Sequence, residues 1–461
     1  MSKRTRRIIL AVVAAQIVLI LGLLVLPQVV LAIPGRYRVA LAERSPFLGD
    51  IAEELIQAVN PVATALPAPA QAAAPRPVVI PELDSSPSAP PSPTAPPIAT
   101  QASAEARQTA APATAEPSPT ASPTPPPTAV PTLGLLPPAF RIEGIVRIQQ
   151  TFNNCGPANL TQVLNWYGDP TTQAEAAAYL KPNVEDRNVS PWQLSDYVND
   201  FTELRSTVHS GGTLDLLKRL IAAGFPVVIE KGYEPVRTVS NDWYGHYLTL
   251  FSYDEAQGVF YSMDTFDFVD PALGRVDTYD EIERYWKQFN HTFYVVYEPA
   301  QEEEVHAILG PEMLDPLQMW QNAAERAQAA LEEQPNDAFV WFNLGTSLTR
   351  LGELTGETEF YENGAGAFDQ ARQLGMPPTM LWYEFRPYVA YMKVSRYDDM
   401  LAISSAILAT QGGQNVEETY LYRGHALLYQ GDEAGAAAAY TRALELNQNF
   451  YPAQIALDSL S

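Results

Sequence analysis

The sequence predicts an α+β domain over residues 139–300, then an all-α array over residues 301–461, with a long tether ahead of both. Three observations carry the prediction. Within the first region, helix-spaced apolar residues come before β-branched strand runs; after Glu302 small residues recur at helical spacing; and before Pro138 the composition is dominated by Pro, Ala, Ser and Thr. The formal net charge of −24, with no basic cluster beyond the first seven residues, argues against a nucleic-acid surface.

The tether begins with residues 1–34. Lys3, Arg4, Arg6 and Arg7 precede an apolar run from Ile8 to Ile33, broken only by Gln16, Pro27 and Gln28. Twenty-odd apolar residues at ~1.5 Å each cross a hydrocarbon core of ~30 Å, and the basic side faces the cytoplasm. A transmembrane anchor is therefore expected, with everything after it outside. The competing reading is a cleaved signal peptide ending near Val30-Leu31-Ala32, but the run is longer than a usual h-region. Residues 35–60 form a juxtamembrane segment in which Ile51, Leu55 and Val59 fall at helical spacing.

Residues 61–138 hold 22 of the 40 prolines and no aromatic residue. Such a stretch buries too little apolar surface to offset its ordering entropy, so a disordered stalk is expected. As polyproline II, at ~3.1 Å per residue, it would reach on the order of 200 Å, and several-fold less as a coil.

In the α+β region, helices are expected at 155–167, 173–180, 190–201 and 213–223, and strands at 225–230, 245–253, 259–264 and 292–297. The only cysteine, Cys155, opens the first helix, whose apolar face is Leu160, Val163, Leu164 and Tyr167. A thiol there meets the positive end of the helix dipole, which favours its acting as a nucleophile. Taken alone, a single cysteine is more often a small buried hydrophobe. The downstream residues change that balance. His246 begins one strand and Asp264 ends the next, so a hairpin brings both to one edge of the sheet. An acid beside an imidazole fixes its tautomer, and the imidazole takes the thiol proton. Six residues before the cysteine, Gln149 offers a side-chain amide to an oxyanion.

Gln149, Cys155-Gly156-Pro157-Ala158, Gly245-His246-Tyr247 and Asp264, with Gly224-Phe225-Pro226-Val227-Val228-Ile229 upstream, resemble the C39-like branch of the papain-type cysteine peptidases. The resemblance spans residues 140–299. It implies a papain-like α+β fold with Gln149 as oxyanion donor, Cys155 as nucleophile, His246 as base and Asp264 as its orienter. Two departures stand out. Thr265 follows Asp264 where the family usually carries proline, the Asp-Pro pair coming only at Asp270-Pro271, and Gln150 competes with Gln149.

His209 and His291 lack a suitably spaced acid and read as ordinary residues. The histidines and the cysteine show no metal-ligand spacing, so neither metal nor cofactor is expected. Asp242-Trp243-Tyr244 either wall a cleft or join the core.

Beyond Glu302, Ala323, Ala327, Ala330 and Pro335 recur as Gly364, Phe368, Ala371 and Pro377, and again as Ala436, Tyr440 and Ala443. The openings Trp341-Phe342-Asn343-Leu344-Gly345 and Tyr420-Leu421-Tyr422-Arg423-Gly424 mark two units. The pattern resembles tetratricopeptide repeats once about seven extra residues near 354–362 are allowed, and implies a solenoid that binds a protein partner. The alternative is that these helices brace the α+β domain. Together the readings describe a single-pass, outward-facing cysteine peptidase that acts on peptides or proteins. Acyl transfer by the same thiol, or an inactive domain used as a binding scaffold, are the alternatives.

Overall fold

The computed structural model describes residues 65–70, 78–81, 134–233, 243–267, 270, 272–410 and 412–460, with the single positions 6, 16 and 45. The expected membrane anchor and juxtamembrane segment otherwise lie outside the described residues. Among the described residues, no helix is long and apolar enough to cross a membrane.

Residues 139–297 form a seven-stranded antiparallel sheet between two layers of helices. The chain runs β1 (Ala139–Arg141), α1 (Cys155–Trp166), α2 (Gln173–Leu180), α3 (Pro191–Phe201), β2 (Arg205–His209), α4 (Leu214–Ala222), β3 (Val227–Tyr233), β4 (Tyr244–Asp254), β5 (Val259–Asp264), β6 (Arg275–Thr278), α5 (Tyr279–Trp286) and β7 (Phe293–Tyr297). The sheet order is β2-β7-β3-β4-β5-β6, and β1 adds to the far end of β4. One face carries Val228, Tyr247, Tyr294 and Val296, which pack on Leu160, Val163 and Leu164 of α1 and Leu194 of α3. The other carries Val227, Ile229, Leu248, Leu250 and Val295 against Leu217, Leu220, Ile282 and Trp286 of α4 and α5. This period-2 alternation fixes the register, because a slip of one residue would exchange the two faces.

The helices begin where the sequence supplies caps. Thr172 with Glu175 and Ser190 with Gln193 form capping boxes at α2 and α3, and Pro191 occupies the first turn of α3. The eight helices and strands expected in this region are present, with ends that coincide or shift by at most three residues. Four further elements, β1, β2, β6 and α5, were not anticipated.

The helical region continues through α6 (Glu302–Leu314), α7 (Pro316–Glu333), α8 (Ala338–Thr355), α9 (Thr358–Gln373), α10 (Arg386–Lys393), α11 (Tyr397–Ala409), α12 (Glu417–Tyr429), α13 (Glu433–Leu446) and α14 (Tyr451–Asp458), with a 3-10 turn at Pro378–Trp382. It packs firmly on the sheet domain. Lys287 Nζ pairs with Asp337 at 2.8 Å, Asn290 Nδ2 donates to Ser347 Oγ at 2.9 Å, and Thr379 Oγ1 donates to Trp243 O at 2.8 Å.

One open alternative is decided here, and one expectation needs correction. Trp243 does not wall a cleft: it is buried at this seam, where its indole donates to Gln288 Oε1 and its ring stacks on Phe289. An indole N–H finds its partner inside, so the ring can serve as core. The expected stalk is not free of packing throughout, because residues 65–70 and 78–81 lie against the helical region, with Leu66 buried and Val78 and Ile80 half-buried on it. A proline-rich segment that cannot build a core of its own has joined one built by other helices.

Candidate active site

Cys155 is the first residue of α1, and the chain reaches it through a tight backbone turn. Asn153 adopts φ +56°, a left-handed conformation that asparagine tolerates better than most residues. The turn is held from beneath by the buried Lys181, whose Nζ donates to Asn153 O at 3.0 Å and to Asp186 O at 2.8 Å. Asn154, the residue before the helix, makes no side-chain capping bond to it.

A buried polar network then fixes α1 against the sheet. Asn159 Nδ2 donates to Cys155 O at 2.9 Å, Tyr247 O at 3.1 Å and Thr265 Oγ1 at 3.2 Å. Gln162 Nε2 reaches Thr249 Oγ1 at 2.6 Å and Asn159 Oδ1 at 3.1 Å. These bonds join the helix that bears the sulfur to the residues flanking His246 and Asp264. Satisfied networks of this kind specify one arrangement, since each member left unpaired in the interior would be costly.

His246 lies near the start of β4 and Asp264 at the end of β5, in a pair whose register sets Leu248 opposite Asp264. The predicted edge is therefore real. His246 Nε2 lies 2.9 Å from Asp264 Oδ1, and the Cys155 side chain is among the groups that act on the imidazole. Cys155 is 7 % exposed, His246 6 % and Asp264 0 %. Burial opposes charging of the imidazole, yet the Asp264 charge and hydrogen bond, with the Cys155 contact, raise its pKa to about 9. Burial likewise opposes ionisation of Asp264, but His246, the Phe266 N–H and Arg275 hold the carboxyl well below the usual carboxylate range. With a pKa of about 9 the imidazole is an imidazolium at neutral pH, held on a buried carboxylate and able to donate a proton to a leaving group.

Sequence reasoning missed the cation behind this acid. Arg275 Nη1 lies 3.0 Å from Asp264 Oδ2 and 3.0 Å from Asp267 Oδ2, while its Nε lies 2.9 Å from Asp277 Oδ1. The Phe266 N–H adds a 2.8 Å bond to Asp264 Oδ1, so the acid is bound on both oxygens. The four-residue strand Arg275–Thr278 is too short for its alternation to mark it in the sequence. Tyr233 and Phe266 flank the imidazole, with ring centroids 5.6 and 6.4 Å from it.

The upstream glutamines sit beside the residues that follow Asp264. Gln149 is exposed and its amide donates to Phe266 O at 3.3 Å, whereas Gln150 N–H donates to Thr265 O and Gln150 Oε1 accepts from the Thr265 hydroxyl, each at 2.9 Å. Thr265, at the position where proline was expected, thus joins the loop before α1 to the segment after the acid. His291 departs from expectation: its Nε2 lies 2.7 Å from Glu283 Oε1, an acid eight residues upstream on α5.

The helical region reaches this site. A Cβ built on Gly245, the residue before His246, would lie 2.8 Å from the Tyr383 ring and 2.7 Å from Phe289, so only glycine fits the approach. On the other flank Arg187 stacks between Phe152 and Trp382, at 5.6 and 5.3 Å from their ring centroids.

Residues 142–294 match the model of the Peptidase_C39 like family. Among solved structures, the chain is similar to a protein from Bacillus anthracis described as a C39-like peptidase, at 15% identity and a TM-score of 0.29, over 35% of this chain and 98% of that one. A comparison with curated proteins finds no match. Residues 142–294 are therefore similar to C39-like peptidase domains and form an antiparallel sheet with helices on both faces, followed by a helical C-terminal region.

Proposed function

We propose that the chain is a cysteine peptidase in which Cys155, His246 and Asp264 form the catalytic triad. The observation that carries the proposal is the His246 Nε2–Asp264 Oδ1 pair at 2.9 Å, buried together with Cys155 at the start of α1. Cys155 sulfur attacks the scissile carbonyl carbon, and its proton resides on His246. The tetrahedral oxyanion is held by the Cys155 backbone N–H, at the open first turn of α1, and by Gln149 as the resemblance implies. As the C–N bond breaks, His246 protonates the leaving amine and a thioester remains. Water, deprotonated by His246, then attacks the thioester, releasing the acid and restoring the thiol.

The domain is held at a membrane by residues 8–33 and faces outward, a reading supported by the basic cluster ahead of that apolar run. The helical region is read as tetratricopeptide-like and as a docking platform for a protein partner. Two close glycine–aromatic contacts support this: a Cβ on Gly345 would meet Phe368 at 2.8 Å, and one on Gly424 would meet Tyr440 at 2.3 Å. The two sequence separations differ by about seven residues, matching the insertion expected near 354–362.

Hydrolysis of a mixed peptide library by the full chain, read by mass spectrometry, tests the proposal. New peptide termini are expected with wild type and none with Cys155→Ala. Equal cleavage by both chains, or none by either, would overturn it.

A further inference from the structure

The described pieces of the proline-rich segment are held on a prepared surface. Leu66 is 4 % exposed in the cluster that includes Ala371, Met376 and Met380, and its N–H donates to Met376 O at 2.8 Å. Arg372 Nε donates to Pro67 O at 2.8 Å and Nη2 to Ala68 O at 3.1 Å. The Ala70 N–H donates to Asp399 Oδ1 at 3.0 Å. Further along α9, the Val79 N–H donates to Asn363 Oδ1 at 3.2 Å, and Val78 lies over Gly366, where an added Cβ would stand 3.5 Å from it.

The decisive group is Arg372. Its side chain is 1 % exposed, and its Nη1 is committed to Asp399 Oδ1 at 2.8 Å and Tyr391 Oη at 2.9 Å. The donors on Nε and Nη2 are met by the two stalk carbonyls. These two donors are spaced for successive backbone carbonyls, and with the segment seated the guanidinium is buried and bonded, so the surface suits a peptide backbone. The occupant's chemistry follows. At Pro67 the surface uses the carbonyl, which proline retains, and N–H groups are used at Leu66, Ala70 and Val79, none of them proline. Alternating prolines also pre-extend the segment and lower the entropy lost on docking.

We infer that the face formed by α9, the start of the following turn and α11 is a receptor for an extended Leu-Pro-x-Pro-x segment, and that residues 65–70 and 78–81 of this same chain occupy it. The tether therefore bears on the helical region, and residues 82–133 join that docking point to the sheet domain at Gly134. A cis segment competes with any peptide of the same chemistry offered in trans, at an effective concentration on the order of millimolar.

The test uses the full chain and a fluorescein-labelled peptide of residues 62–83, followed by anisotropy. Leu66→Asp lies outside every helix and strand and disables the cis occupant. The Leu66→Asp chain is expected to bind the peptide at least tenfold more tightly than wild type. Ala70→Pro, which removes the donor to Asp399, shifts affinity in the same direction by a smaller factor. A labelled peptide carrying the same Leu→Asp change binds neither chain. Equal affinity of wild type and both variants for the native peptide, absence of binding to both variants, or equal binding of the altered peptide would each overturn the inference.

Discussion

Arg275 Nη1 and His246 Nε2 stand on different oxygens of Asp264, at 3.0 and 2.9 Å, so two cations share one buried carboxylate. Removing the arginine leaves the whole negative charge to the histidine. Arg275→Met is therefore expected to raise the His246 pKa above about 9 and to move the alkaline limb of hydrolysis upward. The same variant loses stability, because Asp264 keeps its charge in the interior with one partner fewer. A pH–rate profile and a thermal melt check both outcomes.

The raised histidine pKa gives a second expectation. Hydrolysis needs the imidazolium as proton donor, so kcat/KM should fall about tenfold per pH unit above about 9. Alkylation of Cys155 by iodoacetamide needs only the thiolate and should not fall there. Stability follows the same group with a fixed sign. A folded-state pKa of about 9 against an ordinary 6.5 means the contribution is complete below about 6.5 and is lost as pH rises through about 9. Denaturant midpoints measured across that window should decline accordingly.

Gly245→Ala tests the contact between the helical region and the strand that carries His246. The new methyl would meet Phe289 and Tyr383 at 2.7 and 2.8 Å. Overpacking of this kind costs about 1–3 kcal/mol, which urea denaturation should register, together with a loss of hydrolytic rate. An unchanged midpoint would mean that the seam gives way freely.

Asn159→Ala should lower stability by about 1–3 kcal/mol, since three acceptors lose their donor in the interior. It should also lower kcat more than it raises KM, because the residue orients α1 against the sheet and is not placed to bind substrate. Steady-state kinetics on a cleaved peptide separate the two effects.

Much of the sheet domain was legible because its signals are local. The helix opened by Cys155 announces itself by apolar spacing, and the strands starting near His246 and ending at Asp264 by β-branched runs around a turn at Gly258. What was not legible depends on distant pairing. The strand Arg205–His209 is short and is defined by Ser206 meeting Val296, far along the chain. The strand Arg275–Thr278 has four residues, too few for periodicity to register, so the arginine behind Asp264 went unseen. The helix Tyr279–Trp286 did carry a signal, the Thr278–Glu281 capping box, with Ile282 and Trp286 facing inward. Docking of Leu66 was hidden for a different reason: composition reports whether a segment can form its own core, not whether another region offers one.

The central claim is that His246 activates Cys155, and alkylation of the folded chain near neutral pH tests it most directly. Cys155 should react with iodoacetamide faster than a free thiol in wild type, and His246→Ala should lower that rate by about tenfold or more, with Asp264→Asn in the same direction. Labelling at the rate of a free thiol, unaltered by His246→Ala, would contradict the account.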